Sequence, residues 1–392
     1  MRKTIALTTV EGKRYTLSDK IATLMVRPRG VHLQERHIHL GNEPIPAALF
    51  DFGLYLFHNA HELRRSGTGP YIYIPKIENY IEAKWWCNVF ADAEKMLNIP
   101  HGTVRCSILI ETITAAFQMD EILYELRDYV TALNLGRWDY IFSFIKRLGH
   151  NPQYLMPDRS LLTMDTHFLR SAAVLLVKTC HRRGAYAIGG MAAQMPLRNN
   201  PEAQEKAFAK VREDKLREIS QGFDGAWVAP PDLVPYVKKL FIENMSVDNQ
   251  LHVTHDSLTI TAEDLLKIPE GERTAEGMRA NIEVGLRYLE SWLRGNGCVA
   301  INNLMEDAAT FEIARALIWQ WIKHGVRLSD GRIVTSAVFK DELATVLMKI
   351  RNGIGNEKYG QAKFQLAADI LTKTVLSGEF TEFTPPIAYN YI

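Results

Sequence analysis

Three carboxylates stand beside apolar runs of this 392-residue chain, where burying an unpaired charge would be costly. Glu111 directly follows the run Ile108-Leu-Ile110, Asp139 ends the stretch Gly136-Arg-Trp-Asp139, and Asp307 follows Leu304-Met-Glu. Carboxylates at neighbouring strand ends are the ligands that Mg²⁺ takes, with waters and substrate oxygens completing its octahedron. The alternative for each carboxylate is a structural ion pair with an arginine or a lysine.

Two arginines follow the first predicted strand, in the segment Val26-Arg27-Pro28-Arg29-Gly30. Pro28 fixes its φ and Gly30 permits a tight turn, so the guanidinium groups are held near the strand end. One interpretation is a clamp for an anion or an oxyanion. The other is an exposed basic turn, and the segment alone does not separate the two.

Other polar motifs carry weaker signals. His32, His37 and His39 lie in the segment HLQERHIH, but their spacing matches no standard zinc site, so a polar loop is expected. Gly189-Gly190 follows a predicted strand and indicates a close backbone approach to a ligand or a neighbouring strand. The sequence contains no P-loop and no GxSxG nucleophile elbow.

The composition is that of an ordinary globular protein, with 47% apolar and 23% charged residues. The 46 basic and 45 acidic residues nearly cancel, which disfavours a protein that binds nucleic acid or a membrane surface through bulk charge. Four cysteines without a CxxC pair fit free thiols in a reducing cytoplasm. No apolar run approaches the roughly 18 residues that a membrane span needs.

The elements that must position these residues alternate between strand and helix over residues 1–235, which predicts βα units around a parallel sheet. Buried apolar runs rather than strict alternation mark the strands. Helices are predicted at Thr166–Arg183 and Glu202–Ile219. The predicted strands are Thr23–Val26, Tyr71–Pro75, Arg105–Ile110, Trp138–Phe144, Tyr186–Ile188 and Ala226–Val228.

The C-terminal third has a purely helical pattern. Gly295-Asn-Gly297 separates two predicted helices. The apolar residues of each helix recur every three or four positions: Met278, Ile282, Leu286, Leu289 and Leu293 in the first, and Ala309, Ile313, Leu317 and Trp321 in the second. We therefore expect a catalytic domain over residues 1–240, a linker over 241–265, and an all-helical C-terminal domain over 266–392.

Long segments of the chain form one recognisable series in this order: VRPRGVHL, GPYIYIPKIENYIEAKWWCNVF, ILIETITAAF, LGRWDYIFSFIK, VKTCHRRGAYAIGGMAA, GFDGAWVAPPDLVP and GLRYLESWLRGNGCVAINNLMEDAAT. These segments resemble the malate synthase family and most closely its A-type isoform. The resemblance implies an α/β fold with a TIM-type barrel, followed by the helical domain over its mouth. It also implies the Mg²⁺-dependent condensation of acetyl-CoA with glyoxylate and hydrolysis to malate and CoA, in the glyoxylate cycle.

Matched position by position, the resemblance also assigns roles to individual residues. Glu111 and Asp139 correspond to the metal ligands, Asp307 to the catalytic base, and Arg27, rather than Arg29, to the catalytic arginine. The remaining matches are substrate-binding positions: Gly136, Arg137, Trp138 and Asp139 for glyoxylate, and Pro231 for the CoA side.

The chain departs from the family pattern at its start, where relatives carry a helical clasp and the first two barrel strands. Six strands are predicted, whereas a closed barrel has eight. The hairpin-like start, Thr4–Thr9 with Arg14–Leu17, could substitute, another chain could complete the sheet, or the gene product is truncated. Open edges would favour self-association. A smaller departure is Pro230, where the family usually has histidine.

Two alternatives to a malate synthase stay open at this point. One is a Mg²⁺-dependent acyl-CoA lyase of the citrate-lyase β type, which a C-terminal domain with its own Asp307 disfavours. The other is a non-catalytic fragment that binds a ligand or a partner chain.

Overall fold

The computed structural model describes residues 5–9, 12, 14–196 and 200–392. Its strands are β1 (Ala6–Thr8), β2 (Arg14–Thr16), β3 (Met25–Val26), β4 (Gln34–Leu40), β5 (Glu43–Pro46), β6 (Tyr71–Ile74), β7 (Arg105–Ile110), β8 (Val130–Leu135), β9 (Tyr186–Ala192), β10 (Gly225–Val228), β11 (Val299–Ile301) and β12 (Leu304–Glu306).

Helices surround these strands and make up most of the C-terminal third. They are α1 (Ala47–Arg65), α2 (Tyr80–Met96), α3 (Ile113–Ala116), α4 (Met119–Glu125), α5 (Arg137–Leu148), α6 (His167–Arg182), α7 (Pro201–Gln221), α8 (Val234–Asn244), α9 (Ala262–Leu266), α10 (Ala275–Leu293), α11 (Ala308–Lys323), α12 (Ser336–Ile354), α13 (Asn356–Gln361), α14 (Phe364–Val375) and α15 (Pro385–Ala388). In the described part of the chain, none of them is both long and apolar enough to cross a membrane.

The central sheet has six parallel strands in the order β3-β6-β7-β8-β9-β10. Neighbours in the sheet are also neighbours along the chain, and helices connect them, which is the arrangement of a barrel wall. All six carboxyl ends therefore meet at one edge. Within the described residues, β3 and β10 form the two sides of an open wall rather than pairing with each other.

Burial explains why these segments form the sheet. In β7, Cys106, Ile108 and Ile110 are fully buried, and Arg105 at its start is exposed. A strand covered on both faces takes such a run of apolar residues. The surrounding helices contribute large side chains such as Trp86 and Phe144 to the same core.

Five of the six predicted strands are present in the sheet, with shifts of a few residues at their ends. The prediction of a strand at Trp138–Phe144 was wrong, because this segment is the helix α5 and the strand is β8 just before it. A short apolar run looks the same in a buried strand and in a buried helix. Here Tyr140, Ile141 and Phe144 are buried because α5 packs between the sheet core and α11.

The C-terminal helices form a second core, and the predicted periodic residues of α10 are all buried in it. Helix α11 contributes to both cores: Leu317 and Trp319 pack into the first and Trp321 into the second. One element was missed, the hairpin β11–β12 after α10. Asn302 and Asn303 form its turn with φ values of 50° and 64°, which is the type I′ geometry of tight hairpins.

The two hairpins near the N-terminus stay outside the central sheet. β1 pairs only with β2, and both strands are exposed, so this hairpin does not supply the missing barrel strands; Thr4 lies outside the described residues. The histidine segment, expected to be a polar loop, instead forms β4 and pairs with β5. In it His37 contacts the Glu35 carboxylate, whereas His32 stacks on the ring of Phe383 at 4.1 Å.

Candidate active site

A cavity of about 110 Å³ lies at the carboxyl ends of the parallel strands. Strand ends and loops of the sheet form one side, and the segment from β12 into α11 forms the other. Seven of the eight residues predicted for the site line this cavity, and Pro231 does not. The seven are Arg27, Glu111, Gly136, Arg137, Trp138, Asp139 and Asp307.

The two predicted metal ligands share a cation in this structure, the ammonium group of Lys76. Its Nζ lies 3.1 Å from Glu111 Oε2 and 2.8 Å from Asp139 Oδ2. The backbone N–H of Lys76 also donates to Glu111 Oε1 at 2.8 Å. The ion-pair alternative therefore holds for Glu111 and Asp139 in this structure, and one lysine serves both.

The close contact of two buried carboxylates separates their pKa values. Burial raises the pKa of Asp139 well above its usual range, and the neighbouring Glu111 charge adds to this effect. Burial also raises the pKa of Glu111, but the Lys76 charge and the hydrogen bond with Asp139 outweigh it and hold that pKa below its usual range.

Arg27 is held by aromatic rings and not by a carboxylate. Its guanidinium carbon lies 4.6 Å from the ring centre of Trp227 on β10 and 5.4 Å from that of Tyr73 on β6. Among the described residues, no carboxylate lies within 4 Å of it, so its N–H groups are available to a ligand. Arg29 is instead committed to structure, because it donates to both oxygens of Asp51 and to Glu35.

Asp307 is the N-cap of α11, where its Oδ1 accepts a hydrogen bond from the N–H of Ala309 at 3.0 Å. The hairpin before it is fastened to the segment after β9. The N–H of Met305 donates to the carbonyl of Ala193 at 2.8 Å, and the N–H of Met195 donates to the carbonyl of Asn303 at 2.9 Å. These bonds place Asp307 on the cavity that the sheet residues line.

A second acidic residue, Glu306, lines the same cavity and is only 6% exposed. Thr310 donates a hydrogen bond to its Oε2 at 2.5 Å. The charges of two arginines lower its pKa, and both guanidinium groups lie over the ring of Trp138: Arg137 is 4.0 Å and Arg159 is 5.5 Å from the ring centre. In the residues that the structure describes, neither guanidinium group has a hydrogen-bond partner or a carboxylate within 4 Å.

Comparison with known proteins decides the family. The model of the malate synthase TIM barrel domain matches residues 23–268, and the model of the malate synthase C-terminal region matches residues 272–392. The chain belongs to the malate synthase family. It is 48% identical over 390 residues to malate synthase of Myxococcus xanthus, covering 100% of this chain and 72% of that protein.

Two further relatives give the same result. Malate synthase A of Escherichia coli is 47% identical over 391 residues, which cover 99% of this chain and 73% of that protein. The glyoxysomal malate synthase of Cucumis sativus is 47% identical over 392 residues, which cover 98% of this chain and 69% of that protein.

The magnesium that malate synthases are expected to use can be tested against the donors present. Glu111 and Asp139 offer buried carboxylate oxygens, the hard ligands that Mg²⁺ prefers. The donor set therefore fits the metal, although Lys76 contacts the carboxylate oxygens that the metal ion would bind.

The remaining predicted residue of the malate synthase site lies outside the cavity. Pro231 begins a short 3-10 helix after β10 and is exposed, and Pro230 before it is buried. The Gly189-Gly190 pair approaches a buried side chain rather than a strand. A Cβ on Gly189 would lie 2.2 Å from Glu218 Oε2, and the N–H of Gly190 donates to Glu218 Oε1 at 2.8 Å.

The sequence reasoning missed three polar residues that this malate synthase family member brings to the site: Lys76, Arg159 and Glu306. The position of Lys76, just beyond the strand Tyr71–Ile74, was a usable signal, because carboxyl ends of parallel strands meet at one edge. Nothing local indicated Arg159, which reaches the site through a long loop between α5 and α6.

Proposed function

We propose that this chain condenses acetyl-CoA with glyoxylate and hydrolyses the thioester product to malate and CoA. The observation that carries the proposal is one cavity lined by a carboxylate pair, the ring-held Arg27 and the hairpin-held Asp307. These are the groups that a condensation through an enolate needs: a base, a cation for the enolate oxygen, and a place to polarise the aldehyde.

Asp307 takes a proton from the acetyl methyl group in this proposal. Its Oδ1 is fixed by the Ala309 N–H, which leaves Oδ2 for the substrate. Arg27 faces the oxygen that becomes negative, because its N–H groups are not engaged by a carboxylate. The Trp227 and Tyr73 rings hold the guanidinium in place without neutralising it.

The start of α5 binds the carboxylate of glyoxylate. Gly136 is its N-cap and has no side-chain capping bond, so the N–H groups of Arg137, Trp138 and Asp139 are available to an anion. A Cβ on Gly136 would lie 2.8 Å from the Cβ of Glu111, so this position needs glycine for the close approach.

Glu111 and Asp139 hold Mg²⁺, which when bound supplies Lewis-acid polarisation of the aldehyde. Direct binding of Mn²⁺, a spectroscopic substitute for Mg²⁺, tests this assignment without turnover. Titration followed by electron paramagnetic resonance is expected to give one tight site, weakened at least tenfold in Glu111→Gln. Unchanged binding in that variant would contradict the assignment.

The two alternatives have less support. A lyase of the citrate-lyase β type does not account for Asp307 on a hairpin fastened to the sheet segment. A non-catalytic fragment does not account for a cavity that contains seven of the eight predicted site residues, although the chain spans 72% of the length of the Myxococcus xanthus relative.

The proposed reaction is tested by glyoxylate-dependent release of free CoA thiol from acetyl-CoA. Thiol release is expected with Mg²⁺, is lost with EDTA, and falls at least 100-fold in Asp307→Asn, the scale of general-base catalysis. Asp341→Asn, at an exposed position of α12, is the matched control and should keep full activity. A folded wild-type chain that releases no thiol would refute the proposal.

We further propose the domain division at 1–240, 241–265 and 266–392, and a cytoplasmic location that the free cysteines favour. Self-association through the open sides of the sheet is proposed because Leu24 and Met25 at β3 are 53% and 42% exposed. Light scattering on the purified chain tests it: a monomer at all concentrations would exclude it.

A further inference from the structure

The proposed reaction has two steps that each move a proton away from a reacting group, and this inference rests on it. The first step removes a proton from the acetyl methyl group. The second removes a proton from the water that attacks the malyl thioester. Among the described residues that line the cavity, four are carboxylates, and Lys76 holds two of them, Glu111 and Asp139.

The other two carboxylates are adjacent in sequence and differ in their contacts. Asp307 caps α11 through one oxygen. Glu306 is fixed through Oε2 by the hydroxyl of Thr310, which itself is 1% exposed and lines the cavity. In the described part of the chain, Glu306 Oε1 accepts no hydrogen bond from the protein, so one oxygen of a rigidly held carboxylate is available to a water molecule.

Burial and charged neighbours act on the pKa of Glu306. Burial and the charge of Asp307 raise this pKa, and the Thr310 bond and the charges of Arg159 and Arg137 limit the rise. The two guanidiniums lie over Trp138 without a hydrogen-bond partner in the described residues. Their free N–H groups can hold the attacking water, or the carboxylate that hydrolysis creates, beside Glu306.

We propose that Glu306 is the base of the hydrolysis step, separate from Asp307, the base of the condensation. The oxygen of water forms a bond to the thioester carbonyl carbon as Glu306 takes the proton of that water. The carbon–sulfur bond then breaks, the thiolate of CoA leaves with the bonding pair, and protonated Glu306 returns the proton to sulfur. The products are malate and CoA thiol, and the new carboxyl group loses its proton to solvent.

Malyl-CoA supplied to the enzyme separates the two bases, because it can be hydrolysed or cleaved back to acetyl-CoA and glyoxylate. Thiol release measures hydrolysis, and glyoxylate trapped as its phenylhydrazone measures cleavage. Glu306→Gln keeps an oxygen for the Thr310 hydroxyl, and we expect it to lose at least 100-fold in hydrolysis while cleavage stays within about twofold. Asp307→Asn is expected to lose cleavage and to keep hydrolysis.

Other outcomes overturn the proposal. Equal loss of both reactions in Glu306→Gln would mean a structural role, and unchanged hydrolysis would mean that Asp307 or another group activates the water. Glu306→Ala adds a second readout. Added formate should increase hydrolysis by this variant and should leave hydrolysis by the wild type unchanged. Glu357→Gln, at an exposed position of α13, is the control that should change neither reaction.

A wild-type chain that processes malyl-CoA in neither direction would remove the proposed function and this inference with it. Failure of the inference alone looks different: wild type then carries out both reactions, and the two variants do not separate them.

Discussion

Lys215 in α7 is a buried charge whose removal should cost much of the stability of the chain. Its side chain is 0% exposed, and its Nζ donates to the carbonyl of Gly190 at 2.7 Å and to both oxygens of Glu218 at 3.0 and 2.9 Å. Glu218 in turn accepts the N–H of Gly190. The pair thus pins the end of β9, just before Met191 and Ala193 reach the cavity.

Lys215→Met keeps most of the volume and leaves the Glu218 carboxylate buried without its cation. Breaking a buried pair from one side costs about 3–5 kcal/mol, against a total stability of about 5–15 kcal/mol. With a urea slope of about 3 kcal/mol/M, the midpoint of unfolding falls by about 1–2 M. Tryptophan fluorescence during urea titration measures it, because buried Trp86 and Trp319 report on the sheet core.

The double variant Lys215→Met with Glu218→Gln identifies the cause. The introduced glutamine side chain would still accept the N–H of Gly190 but carries no charge, so we expect the double variant to recover at least half of the loss. The matched control is Lys206→Met on the same helix, whose pair with Glu202 is exposed and worth well under about 1 kcal/mol.

The loss in the single variant should also grow with pH. Burial already raises the pKa of Glu218 to about 7 with Lys215 present, and removing the lysine raises it further. The folded variant then keeps a proton that the unfolded chain releases near pH 4.5, so stability falls as the pH rises. A cost below about 1 kcal/mol, or a double variant no more stable than the single one, would refute this reasoning.

Three other variants test further parts of the structure. Trp227→Leu removes a ring that holds Arg27, and kcat/KM for the proposed reaction should fall about tenfold while circular dichroism stays unchanged. Burial, then the charges of Lys76 and Lys146, lower the pKa of His32 to about 4. Between pH 6.5 and 4 the unfolded chain therefore binds a proton that the folded chain does not, and stability falls by about 3 kcal/mol as the pH falls. His32→Gln should remove this part of the pH dependence in urea titrations at pH 7 and pH 4, and a constant difference from wild type would contradict it. Leu317→Ala removes a fully buried side chain of α11, opens a cavity and should cost about 3 kcal/mol of unfolding free energy; a loss under about 1 kcal/mol would mean that the helices repack.

Periodicity and burial patterns predicted the parts of the fold in which local sequence agrees with its surroundings. The strand at Arg105–Ile110 and the helix following Thr166 are confirmed. The first is an apolar run of strand length, and the second repeats its apolar residues at helical spacing. The segment Trp138–Phe144 was assigned wrongly because it is buried on several sides, which erases the polar face that marks a helix.

The candidate site was predictable as a set of residue types but not as an arrangement of charges. The sequence indicated that the Glu111 and Asp139 carboxylates need a cationic partner, either a metal ion or a basic side chain. That the partner in this structure is Lys76, from a different strand end, depends on the sheet order. Glu306 stands beside Asp307 in sequence. One of its oxygens accepts a hydrogen bond from Thr310 and the other does not, and this arrangement depends on the β11–β12 hairpin, which periodicity does not predict.

The proposed condensation in this cavity joins the methyl carbon of acetyl-CoA to the aldehyde carbon of glyoxylate. The most direct measurement is carbon NMR of the reaction of acetyl-CoA labelled with carbon-13 at the methyl position, with glyoxylate and Mg²⁺. We expect the label at the methylene carbon of malate, and its absence there with Asp307→Asn. Label that stays in acetyl-CoA, or that moves into free acetate, would contradict the claim.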